Sequence, residues 1–145
     1  MSRTLLSLAG FQVIISGRFW VIAEGGKATY NISTLAVGSN SITASYGGDT
    51  NDNSSTSSAL TQTVNKATPT VTLTSSSNPS TYGGSVTFTA TLSISTATGT
   101  VTFKNGSTTL GTGTVSSGIA TYSTSTLAVG SNSITAAYGG DTNDN

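Results

Sequence analysis

The chain of 145 residues has no cysteine and no histidine. Without cysteine it has no disulfide, no thiol nucleophile and no thiolate for zinc. Without histidine it lacks the side chain most often used as general base near neutral pH. Charge is scarce as well: five Lys and Arg balance five Asp and Glu, 7% of the residues are charged, and the net charge is zero. That excludes a nucleic-acid binder, which needs basic groups in number against phosphate, and docking on an anionic membrane surface. The longest apolar run, LLSLAGFQVII, is too short to span a bilayer. An extracellular chain needs no disulfide where its core suffices, so the cysteine count leaves the compartment open.

What is there is serine and threonine, about 54 of 145 residues, with 17 glycines. The apolar residues are not scattered among them but alternate with threonine, a β-branched strand former. This is the composition of a folded all-β chain rather than a disordered one.

The chain writes one passage twice. Residues 28–53 and 120–145 align without gaps at 23 of 26 positions, the exceptions being Asn31/Ser123, Ile32/Thr124 and Ser45/Ala137. The period of 92 is too long for a solenoid unit and is close to the size of an immunoglobulin-like sandwich. The chain therefore reads as a window on a tandem array. Its expected organisation is an atypical segment at 1–27, the C-terminal three strands of one repeat at 28–64, a linker at 65–69, and a second repeat at 70–145 that lacks its last strand.

Within the second repeat the spacing predicts six strands. PTVTLTS (69–75) puts Val71 and Leu73 on one face. SVTFTATLS (85–93) puts Val86, Phe88, Ala90 and Leu92 on one face and Thr87, Thr89 and Thr91 on the other. GTVTFKNGSTTLG (99–111) reads as a hairpin with a type I′ turn at Asn105 and Gly106. A further turn is expected at 116–118, and Ile134, Ala136 and Tyr138 alternate in the last strand. No segment carries a helical period. In the first copy the passage is followed by SSTSSALTQTV (54–64), which supplies the seventh strand. The linker, with Pro69, is short enough to make an array rod-like. Seating 54–64 against 131–138 of the same chain is not expected, because the linker is shorter than the sandwich is tall.

These residues carry a resemblance. Gly99-Thr100-Val101-Thr102-Phe103, Leu110-Gly111, Leu127 with Gly130, Ile134-Thr135-Ala136, and Tyr138 followed by Gly140-Asp141 are similar to the bacterial immunoglobulin-like repeats, group 3-like, strung in tandem in large secreted and surface proteins. The resemblance covers 28–145. It implies an antiparallel β-sandwich outside the cell or at its surface, acting as spacer, stalk or adhesive module, with neighbouring repeats of the parent chain as its first partners. A surface glycan or protein ligand is the partner of the adhesin reading. No catalytic residue is implied.

Residues 1–27 break the period: they should resemble 93–119 and do not. They hold the only Trp, the only Met, the only Glu and both Arg residues. Three readings compete. One is a signal peptide, with Arg3 before the apolar run, although Gln12 interrupts it. Another is a set of divergent strands, FQVII and FWVIA. The third, preferred, is a misread frame: the codons of Phe19-Trp20-Val21, shifted by two bases, contain Leu-Gly, the pair expected near 18–19 from Leu110-Gly111.

One polar constellation stands out. GGDTNDN occurs at 47–53 and again at 139–145. Asp49, Asn51, Asp52 and Asn53, and in the second copy Asp141, Asn143 and Asp144, offer side-chain oxygens of the kind calcium takes six to eight of. The spacing resembles the D-x-N-D-N linker of cadherins but lacks its additional acids. Calcium is therefore the one cofactor weighed. The competing and preferred reading is a loop in which Gly, Asp and Asn serve turn geometry. Tyr46 and Tyr138 read as inward-facing core aromatics, Tyr82 as a surface aromatic, and Lys66 and Lys104 as solvated charges. Serines and threonines are plentiful but have no base to activate them, so the expectation is no enzyme.

Overall fold

The computed structural model describes residues 11–14, 22–24 and 27–145, with side chains from 27 onward. The chain divides into two units, Met1–Asn65 and Lys66–Asn145. The run LLSLAG and Trp20, on which the leader and frame readings of 1–27 turn, lie outside the described residues.

In the first unit the strands are β1 (Phe11–Ile14), β2 (Ile22–Glu24), β3 (Lys27–Thr29), β4 (Gly38–Tyr46), β5 (Ser55–Thr56) and β6 (Leu60–Val64). Phe11–Ile14 runs antiparallel to β4, and Ile22–Glu24 runs antiparallel to β3. β4 also carries β5 and β6, so the strand expected at 54–64 is present and split in two. No residue of 27–65 is buried. The described strands of this unit are paired, but they hold no sealed core.

The second unit holds β7 (Val71–Ser75), β8 (Val86–Leu92), β9 (Thr100–Asn105), β10 (Thr108–Thr114), β11 (Ile119–Thr124) and β12 (Ile134–Tyr138). These are the six strands that the alternation predicts. They form two antiparallel sheets, β11-β8-β7 and β10-β9-β12. The core lies between the sheets. β8 contributes Val86, Phe88, Ala90 and Leu92, β9 contributes Val101 and Phe103, and Ala97, Val115 and Ala120 complete it. The period-2 pattern sets this: one face of β8 is sealed while Thr87, Thr89 and Thr91 point away. Tyr122 brings its ring over Phe103 from the opposite sheet, centroids 5.8 Å apart. Leu73, Leu127, Ile134 and Tyr138 pack on the margin.

The β9–β10 hairpin differs from expectation. Asn105 pairs with Thr108 on one side and Ile134 on the other, so it belongs to the strand. The central residues of the turn are Gly106 and Ser107, and only Gly106 has positive φ, 58°. That is the φ pattern of a type II′ turn, with glycine first, rather than the type I′ turn read at Asn105 and Gly106.

Candidate functional site

The repeated loop begins where β12 ends. Gly140 takes φ +80°, and a Cβ there would stand 3.0 Å from the Asp144 carbonyl, so the tight return needs glycine. The Asp141 N–H donates to that Asp144 carbonyl at 2.8 Å. Asp141 Oδ1 accepts from the backbone N–H groups of Asn143 and Asp144, both at 2.8 Å, an Asx turn. Asp141 Oδ2 reaches across to the segment before β9, accepting from the Thr98 N–H at 2.8 Å and the Thr98 hydroxyl at 2.7 Å. The carboxylate thus accepts four bonds, which fills its acceptor sites. Those donors, Thr98 first, hold its pKa well below the usual carboxylate range.

The same loop holds the incoming chain. The Lys66 ammonium donates to the Asp141 carbonyl. The Ala67 N–H donates to the Asn143 carbonyl at 2.9 Å, and the Asn145 N–H donates to the Ala67 carbonyl at 2.8 Å. Ala67 and Asp144 form a parallel bridge, and Pro69 is buried. Lys66, read from sequence as a solvated charge, is therefore a loop partner, and two residues of the expected linker are bonded into the second unit.

In the first copy the turn is built alike. The Asp49 N–H donates to the Asp52 carbonyl at 2.9 Å, and Asp49 Oδ1 accepts from Asn51 at 2.8 Å and Asp52 at 2.9 Å. Asp49, Asn51, Asp52 and Asn53 are all exposed, whereas Asp144 of the second copy is 5% exposed. The Asn51 N–H, then the Tyr46 hydroxyl, lower the Asp49 pKa. The position one period before Thr98 is Leu6, so the sequence offers no second threonine there. Each candidate set thus comes together as a turn. Among the described residues there is no cluster of three or more His, Cys, Asp or Glu that could hold a metal ion.

Tyr138 lies beneath the loop. Its hydroxyl is sealed from solvent with no hydrogen-bond partner. The Asp141 carboxylate lies close enough to act on it. Burial first, and that charge second, raise the phenol pKa. Thr98 is the residue that sequence reasoning missed; it stands 43 positions from Asp141, and only the sandwich brings them together.

At the end of the second unit where β12 begins, a cavity of about 630 Å³ opens between the sheets. Leu73, Phe88, Leu127 and Ile134 line its apolar part, and Tyr82 and Val129, 76% and 85% exposed, are on its rim. Its lining carries no ionisable group besides the phenol of Tyr82. No helix among the described residues is long and apolar enough to cross a membrane.

Residues 12–65 and 73–145 each match the family described as bacterial Ig-like domain (group 3). No curated protein and no solved structure matches the chain. With two matched segments covering most of its length and a two-sheet antiparallel sandwich in the second, the chain belongs to the bacterial Ig-like domain family, group 3.

Proposed function

We infer that the chain is a non-catalytic structural repeat, a spacer, of a large bacterial protein that is secreted or displayed at the cell surface. The observation that carries this reading is the use of the one polar constellation. The Asp141 carboxylate spends both oxygens on its own turn and on Thr98, and the loop's carbonyls are spent on Lys66 and Ala67. A loop committed to internal bonds ties a module together and presents little to a ligand. The near-identity of the two copies fits the same role, since a spacer gains length from monotony whereas a binding module gains from varied loops.

A second reading has an observation of its own. Tyr82 and Val129 stand exposed on the rim of the cavity, and an aromatic beside a hollow of mixed polar and apolar lining suits an adhesin that takes a glycan or protein at one pole. Screening the 145-residue chain against a glycan array, with Tyr82→Ala in parallel, separates the two. Silence in both supports the spacer. Saturable capture of one glycan class, lost in Tyr82→Ala, moves the chain to the adhesins.

A further inference from the structure

Asn105-Gly106 is the one Asn-Gly pair in the chain. The pair is chemically fragile. Glycine has no Cβ to shield its peptide nitrogen, and asparagine is one of the thermolabile side chains. In the reaction open to it, the Gly106 nitrogen attacks Asn105 Cγ. An N–C bond forms, the Cγ–Nδ2 bond breaks, and the Gly106 amide proton leaves with Nδ2 as ammonia, giving a five-membered succinimide. Water then opens the ring at either carbonyl, to aspartate or to isoaspartate.

The fold holds every participant in that step elsewhere. Asn105 ends β9, paired with Thr108 on one side and Ile134 on the other. Extended antiparallel backbone has ψ of about +135°, which turns the next nitrogen away from the side chain it would have to meet. The Gly106 N–H, the nucleophile, donates to the Ser133 carbonyl at 2.8 Å. Asn105 Nδ2, the leaving group, donates to Asn132 Oδ1 at 2.8 Å. To cyclise, Asn105 must leave the strand and give up these bonds together. One period earlier the chain reads Val13-Ile14, so the arrangement belongs to the second unit alone.

We propose that Asn105 is a self-modification site kept shut by the folded hairpin: the amide survives while β9, β10 and β12 are paired, and its deamidation marks irreversibly a unit that has opened. Either product fits the closed hairpin badly. Aspartate brings acceptors and no donor to Asn132 Oδ1. Asn132 cannot turn its amide round in answer, because its Nδ2 is bonded to the Ala128 and Gly130 carbonyls at 2.9 and 3.2 Å. The site is half-buried, where a charge without a donor is destabilising. Isoaspartate routes the backbone through Cγ and lengthens it by one carbon, so the pairings with Thr108 and Ile134 cannot both keep register.

The test compares three samples at mildly alkaline pH: the 145-residue chain in buffer, the same chain unfolded in guanidinium chloride, and the synthetic peptide TFKNGSTT (102–109). Each is quenched in acid over a time course, and deamidation is mapped by mass spectrometry of peptic fragments. In the unfolded chain Asn105 is expected to react at the rate of the peptide and ahead of every other asparagine. In the folded chain it is expected to react at least about tenfold more slowly, since only opened molecules are competent. Asn105→Asp, the first product made directly, is expected to melt below the parent, while Asn31→Asp, at an exposed position of the first unit, is expected to melt with it. A folded chain that deamidates at Asn105 as fast as the peptide overturns the proposal, because the hairpin then shields nothing. An Asn105→Asp chain that melts with the parent overturns it too, because opening would leave no lasting mark. The rate comparison needs no variant, so it decides even where Asn105→Asp fails to fold.

Discussion

The Asp141 carboxylate and Thr98 are joined twice, by the Thr98 N–H at 2.8 Å and its hydroxyl at 2.7 Å, across 43 residues of sequence. This bond pair ties the end of β12 to the segment before β9 and makes the fold acid-sensitive. The folded pKa of Asp141 is lowered, Thr98 being the largest cause, while an unfolded Asp titrates near about 3.9. A lowered pKa contributes stability that is complete above about pH 5 and drains away as pH falls below about 4. In Asp141→Asn one oxygen becomes an amide NH₂ and confronts a donor with a donor. The variant is expected to melt lower at pH 7 and to show a flatter acid limb from pH 5 to 2. Circular dichroism melts across that range check it; limbs parallel to the parent's would remove Asp141 from the acid response.

Tyr138 gives the opposite sign at the other end of the scale. Its hydroxyl is buried without a partner, and burial raises its pKa. A raised phenol pKa supplies stability that is present below about pH 10, the ordinary value, and is lost as pH climbs through the folded one. Removing an unpartnered buried hydroxyl costs no hydrogen bond. Tyr138→Phe is therefore expected to melt at or above the parent temperature at pH 7 and to resist alkali better above pH 10. A clear fall at pH 7 would show that the hydroxyl has a partner after all.

The strands of the second unit were legible because one face is sealed: at Val86, Phe88, Ala90 and Leu92 burial imposes the period that threonine then completes on the other face. The turn at 105–106 was misplaced by one residue, because cross-strand pairing with Ile134 keeps Asn105 extended, and a dipeptide cannot report a third strand. Lys66 and Thr98 were invisible as partners of Asp141 for the same reason at longer range, 75 and 43 residues away. Local turn chemistry at Asp141, which the sequence did announce, comes from neighbours two and three residues on.

Gly111 was part of the motif, and its reason is spatial. A Cβ there would lie 2.4 Å from Tyr122 Cε2 and 2.9 Å from Cδ2, at the register irregularity of β10. The ring is stacked on the fully buried Phe103, so it has little room to withdraw. Gly111→Ala is expected to destabilise by about 1–3 kcal/mol, the usual cost of overpacking. In Gly111→Ala/Tyr122→Leu the loss is expected to be less than the sum of the two single changes. Urea midpoints of the four proteins decide it, and strict additivity would mean that the ring and the glycine do not meet.

Calcium is the last test, and the geometry sets its expected outcome. The ion takes six to eight oxygens at about 2.3–2.6 Å. Asp141 would have to surrender Thr98, Asn143 and Asp144 to offer even its own two. Each released N–H would then need water, while the Lys66 ammonium stays against the Asp141 carbonyl with charge of the wrong sign. Binding that dismantles the turn and the Thr98 tie gives back stability as fast as it adds it. Melts of the 145-residue chain in calcium and in chelator are expected to superimpose. A rise of many degrees in calcium would mean that the loop reorganises into a metal site, and that Asp49, Asn51, Asp52 and Asn53, or Asp141, Asn143 and Asp144, stiffen the array with an ion rather than with their own hydrogen bonds.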